Sequence, residues 1–231
     1  MFGWYYDPTM LLILPALLLA IWAQVRVNST FHKYSQVPSL RGWTAAQLAE
    51  DLLAKNGIND VRVEHVRGSL TDHYDPRDRV LRLSDSVYSS TSIAALGIAA
   101  HECGHAIQDA EGYAPLRTRQ NVAPIAQLGS FAAVPLFVLG LLMSWRPLLL
   151  AGIAVFTLVV AFYLITLPVE YNASNRALAA LESGGYLDWQ ETDGARKVLR
   201  AAGLTYVAAA LQAILQLLRL LLIFGGRQHR D

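Results

Sequence analysis

Residues 99–108 read A-A-H-E-C-G-H-A-I-Q, and within them His101, Glu102 and His105 form an H-E-x-x-H pattern. On a helix, residues four apart lie one above the other, so the two histidines project from one face. Imidazoles so placed can grip one zinc ion and leave positions for a third ligand and a water. Glu102 is adjacent but turned off that face. It is placed to take a proton from the metal's water, the role of a general base. The run before the motif, residues 92–100 (SIAALGIAA), is small and apolar, so this helix is expected to be buried. Buried histidines beside a buried glutamate need a partner, and a metal is the simplest one. Cys103, the one cysteine, lies inside the motif. It sits about 200° around the helix from His101 and is expected to pack rather than ligate.

A third protein ligand is needed. His32, His65, His73 and His229 remain, but the sharper candidate is Glu170, in L-P-V-E-Y-N-A-S-N-R. A carboxylate where an apolar run ends, with no basic neighbour, is costly unless it binds something. His73 is the rival ligand. A glutamate merely wetted at the interface is the third possibility.

The elements that must position these groups follow from the hydropathy pattern. The chain has 231 residues, is 54% hydrophobic and has a mean hydropathy of +0.32, which points to membrane spans. A net charge of +1 offers nothing to a nucleic acid. Residues 8–25 are uncharged and read as a first span within an N-terminal anchor, 1–25. No positive residue precedes the run and its end is a poor cleavage site, so an uncleaved anchor is expected. Trp4, Tyr5, Tyr6 and Trp22 would mark the interfaces. Residues 26–121 have the composition of a small polar domain. A helix is expected at 44–55, with Thr44 as cap and Asn56-Gly57 as stop. Alternation predicts strands at 60–66 and 79–83, with 71–76 (TDHYDP) a turn-rich loop between them. Ser89, Ser90 or Thr91 should cap the motif helix, which should end near Glu111-Gly112.

Two uncharged runs, 122–143 with Pro124 and Pro135 as tolerated kinks and 147–169, predict a membrane hairpin across 122–169. Residues 170–203 are polar, helical in part, with a break at Ser183-Gly184-Gly185. The last run, 204–224, carries Gln212, Gln216 and Arg219 on one face, which should turn into the protein. Four spans result. The hairpin returns the chain to the motif's side, where Glu170 can meet His101 and His105. Arg26, Lys33, Arg117, Arg119, Arg176, Arg196, Lys197 and Arg200 fall on that side, against Arg146, Arg227 and Arg230 on the other. The positive-inside rule then places the site in the cytoplasm. The fold class expected is α+β, mainly α, with several membrane helices and a small catalytic domain built from a short sheet and the motif helix. Residues 79–83 are the candidate edge strand for binding a substrate backbone by strand addition.

Three segments, L-T-D-H-Y-D-P at 70–76, A-H-E-C-G-H-A-I-Q at 100–108 and L-P-V-E-Y-N-A-S at 167–174, resemble the neutral zinc metallopeptidase family of bacterial membrane proteins. The likeness spans nearly the whole chain. It implies an inner-membrane zinc peptidase of gluzincin type, with one zinc per chain, a glutamate as third ligand and a protein or peptide substrate. The plan is also similar to the membrane-bound heat-shock and prenyl-protein proteases. Those relatives follow the ligand glutamate with an aspartate four residues on, which holds a zinc-binding histidine. Here that position is Ser174, an uncharged partner at best, with Asn172 or Asn175 as substitutes.

The chemistry expected is peptide hydrolysis, with Glu102 passing a proton from water to the leaving amine. His73 and Tyr74 are candidate donors to the oxyanion on loop position and resemblance; fixing the 72–76 turn is the alternative role. Gln108 either orients a ligand or packs, and Gly97 and Gly104 should permit close helix packing. Three rivals stand beside this reading: an intramembrane protease with the motif helix in the bilayer, a zinc-stabilised scaffold without catalysis, and a metallohydrolase acting on other bonds. Asp109 and Glu111, immediately after the motif, weigh against the first. Glu102 weighs against the second, since a structural zinc does not need it.

Overall fold

The computed structural model describes residues 8–228. Trp4, Tyr5, Tyr6, His229 and Arg230 lie outside the described residues. The helices are α1 (Leu14–Ser35, preceded by a 3-10 turn at Pro8–Ile13), α2 (Ala45–Lys55), α3 (Ile93–Ala110), α4 (Ala114–Leu142), α5 (Arg146–Ser183) and α6 (Trp189–Gln228). The strands are β1 (Arg62–Val66), β2 (His73–Asp75) and β3 (Val80–Ser84). Two compact units result. One comprises Met1–Ala23, Thr118–Leu167 and Thr205–Asp231; the other comprises Gln24–Arg117 and Pro168–Leu204.

The first unit is all helix. Its buried residues include Ala133, Phe137, Leu149, Phe156, Val160, Ala213 and Leu220. Leu18, Trp22, Leu128, Phe131 and Leu142 are large, apolar and exposed. Apolar surface on that scale is at home against lipid tails rather than water. Four helical stretches, Thr9–Ser35, Ala114–Leu142, Arg146–Ser183 and Trp189–Gly226, are long and apolar enough to cross a membrane. Pro124, Pro135 and Pro168 all sit inside continuous helices.

The second unit wraps a three-stranded sheet and the ends of the long helices around α3. In α2, Thr44 accepts from the Gln47 amide and Gln47 reaches back to the Thr44 amide, so the expected cap is a full capping box. The face carrying Leu48, Leu52 and Leu53 is buried. The expected strands both form, pairing in parallel with Arg62 opposite Val80.

Several sequence expectations need correction. The strand at 79–83 is not an edge: β3 lies between β1 and β2. Val80, Leu81, Leu83 and Ser84 are all buried, and Arg82, which gave the strand its polar look, is neutralised by Asp75 and Asp78. The free edge on that side belongs to β2, in the stretch expected to be only a loop. β2 pairs antiparallel with β3, His73 opposite Arg82, Tyr74 opposite Leu81 and Asp75 opposite Val80, and the Tyr74 amide turns away from β3. Ser92, not Ser89, Ser90 or Thr91, caps α3, its hydroxyl accepting from the Ala95 amide. Helix α1 runs ten residues past the expected 25. Its polar extension is held by a Gln24–Asn28 side-chain bond one turn apart and ends with His32 and Lys33 on the negative pole of the dipole.

Candidate metal centre

Helix α3 presents His101 and His105 one turn apart, their rings edge to face with centroids 4.8 Å apart. Glu170, on the part of α5 that belongs to the same unit, points between them and is only 3% exposed. Its Oε2 lies 3.2 Å from His101 Nε2 and 3.5 Å from His105 Nε2. A tetrahedral ion with ligand bonds of about 2.0–2.1 Å sets its donors about 3.3 Å apart, so each histidine nitrogen already stands from Glu170 Oε2 at about the spacing such an ion requires. Two imidazoles and one carboxylate are also a donor set that zinc favours, and all candidate donor atoms lie within 4.8 Å of one another. His101, His105 and Glu170 fit a zinc ion.

The approach of the two helices depends on Gly104, between the two histidines. A Cβ there would stand 2.6 Å from the Ala173 carbonyl oxygen of α5. Gly97, two turns earlier, meets Ala195 of α6 in the same way, at 3.3 Å. Both glycines therefore do what their positions suggested.

Neighbouring groups fix each ring. Gln108 is fully buried. Its Nε2 donates to the Val169 carbonyl at 2.9 Å and to Asn172 Oδ1 at 2.8 Å. That leaves its Oε1 as an acceptor for His105 Nδ1, 3.0 Å away. A proton is thus held on Nδ1, and Nε2 is the nitrogen turned toward Glu170. Of the two roles open to Gln108, its contacts support orienting the His105 ring, and it is packed as well. Ser174 Oγ lies 3.1 Å from His101 Nδ1 and so gives that ring an uncharged partner. Asn172 instead serves Gln108 and Arg176. The Arg176 Nε donates to Asn172 Oδ1 at 2.7 Å, while its NH2 group holds Glu111 at 2.7 Å. Arg176 had no signal in the sequence, because its partner Glu111 is 65 residues away. Burial disfavours a charged His105, yet Glu170 and Glu102 hold its pKa above the ordinary histidine value.

Glu102, 8% exposed, turns toward β2, where its Oε2 accepts the Tyr74 main-chain amide at 3.0 Å. The Tyr74 hydroxyl donates to Asp109 at 2.9 Å. Burial, with Asp109 beside it, pushes that phenol well above its ordinary pKa. The exposed His73 has Nδ1 2.8 Å from the Thr71 carbonyl and is not brought to the histidine–glutamate cluster. Asp72 ties the loop to β3 by accepting from the Ser84 amide at 2.7 Å and from its hydroxyl at 3.0 Å. Cys103 faces away from the cluster, its thiol against the Ala49 carbonyl, and burial raises its pKa far from the reactive range.

Residues 9–225 match a protein family described as "Putative neutral zinc metallopeptidase". The chain is also 48% identical over 219 residues to "Putative membrane protease YugP" of Bacillus subtilis (strain 168), covering 94% of this chain and 97% of that protein. No solved structure matches it.

Proposed function

From the premise that the chain belongs to the neutral zinc metallopeptidase family, we propose that it is a membrane-embedded zinc endopeptidase of gluzincin type. The observation that carries this reading is the convergence of His101, His105 and Glu170, with Glu102 one residue from the first ligand and turned toward an open strand edge. A bound zinc ion supplies Lewis acidity and a nucleophilic water at neutral pH.

The chain's own residues do the rest. Glu102 accepts the proton of the attacking water and returns it to the leaving amine, a service typically worth 10²–10⁴ in rate. Gln108 keeps the His105 imidazole in the tautomer whose Nε2 faces the ion, and Ser174 holds the His101 ring in place through Nδ1. The outer edge of β2 gives an extended substrate a strand to pair with, the Tyr74 amide exchanging Glu102 for the substrate as Glu102 turns to the water, and takes over the role first expected of residues 79–83. His73 and Tyr74 are the proposed oxyanion donors. In the present arrangement each is engaged elsewhere, so either serves by exchanging Thr71 or Asp109 for the substrate. The four apolar helices support insertion in the bacterial inner membrane, and the basic residues flanking them support a cytoplasmic catalytic side.

The test is hydrolysis of an unfolded protein by the detergent-purified chain. Cleavage abolished by a chelator and restored by zinc supports the reading. No cleavage at any zinc concentration refutes it.

A further inference from the structure

A cavity of about 420 Å³ opens beside the metal ligands, between the second half of α5 and the first half of α6. Glu170 and Ser174 form part of one wall and Arg196 and Arg200 part of the other, with Leu178 and Leu199 also in the lining. All of these residues belong to one compact unit. The two arginines are four apart and therefore share a helix face. Neither makes a hydrogen bond or an ion pair among the described residues, whereas Arg62, Arg79, Arg82 and Arg176 all have carboxylate partners. Asp193, the acid within electrostatic reach of both, is held by Lys197 at 2.6 Å. Arg196 is half-buried and Arg200 is exposed. The one carboxylate in the lining, Glu170, is committed to the histidine cluster.

A guanidinium without a carboxylate partner, lining a mainly apolar cavity next to the metal ligands, selects an anion attached to apolar surface. We propose that this cavity is a substrate pocket in which Arg196, supported by Arg200, binds a peptide carboxylate close to the bond to be cut. The carboxylate could be an acidic side chain or the peptide's own C-terminus; the chemistry recognised is the same. The proposal rests on the peptidase reading for the identity of the ligand, but not for its test.

The experiment measures binding rather than turnover. The zinc-loaded Glu102→Gln chain, in an uncharged detergent, is titrated by fluorescence anisotropy with three labelled peptides of one apolar sequence. The first ends in a free carboxylate, the second is amidated, and the third is amidated with one internal glutamate. One or both carboxylate-bearing peptides should bind about tenfold tighter than the neutral one, the worth of one charge-assisted hydrogen bond at a half-buried site. The two carboxylate arms distinguish a terminal from a side-chain anion. Adding Arg196→Gln should erase the preference while leaving zinc content and neutral-peptide binding unchanged; Arg196→Lys should restore part of it. Equal binding of all three peptides, binding of none, or a preference that survives Arg196→Gln would overturn the proposal. So would loss of the preference on adding anionic lipid, because the arginines would then be reading headgroup phosphates. If the chain with Glu102 intact cleaves nothing yet the carboxylate preference stands, the peptidase reading falls and the pocket survives.

Discussion

Replacing Gly104 by alanine tests whether the closeness of α3 and α5 is what makes the metal centre. The added Cβ would stand 2.6 Å from a main-chain oxygen at Ala173, which no rotamer can relieve. Ordinary contact begins near 3.4 Å, so the helices must part by about 0.8 Å if this contact is to relax fully. Carried to the site, that shift widens the Nε2–Oε2 separations from 3.2 and 3.5 Å to about 4.0 and 4.3 Å, beyond the roughly 3.3 Å that a tetrahedral zinc needs. Overpacking of this kind costs about 1–3 kcal/mol. Spent against metal binding, that is roughly a ten- to hundredfold loss of zinc affinity. Competition with a chromophoric chelator on the solubilised chain measures it. Gly97→Ala is the control, since its new methyl's tightest contact is the Ala195 Cβ at 3.3 Å, with main-chain atoms no nearer than 3.6 Å, and it should leave zinc affinity near the parent's. Parental affinity in Gly104→Ala would refute the reasoning.

Gln108→Leu removes the acceptor on His105 Nδ1 and leaves the Asn172 side chain without its Gln108 donor. Zinc affinity should fall about ten- to hundredfold by the same chelator assay. Ser174→Ala deprives His101 of its one neutral partner and should cost about tenfold, while Ser174→Asp should regain the loss. Asp51 is held below its ordinary pKa by hydrogen bonds from Lys55 and Tyr186. A depressed carboxylate contributes stability above its unfolded value of about 3.8 and loses it as pH falls through the folded value. Thermal melts should therefore show Asp51→Asn below the parent at pH 7, with the gap closing as the pH falls below about 3.8.

Much of the arrangement was legible because its signals are local. H-E-x-x-H places two candidate ligands and a candidate base by helical spacing alone. Thr44 before an amphipathic run, with Asn56-Gly57 after it, announces the bounds of α2. Glu170 stood out because a carboxylate at the end of an apolar run carries a cost that asks for a reason. What escaped depends on contacts that no local pattern encodes. The short β2 has three residues, too few for alternation to rise above the turn-forming Asp72, Asp75 and Pro76 around it. The charge of Arg82 made β3 look like an edge, and only the flanking Asp75 and Asp78 explain how a central strand tolerates it. The Glu111–Arg176–Asn172–Gln108 chain behind His105 joins residues from α3 and α5 and appears only once those helices are packed.

The most direct test of the account is cleavage of an unfolded protein by the parent chain and by Glu102→Gln, each loaded with zinc. Because Glu102 contacts the Tyr74 amide and lies outside the ligand cluster, both should bind one zinc, and the variant should lose at least a hundredfold in rate. Equal cleavage by the two, or loss of zinc from the variant, would contradict the assignment of Glu102 as the base beside a centre built from His101, His105 and Glu170.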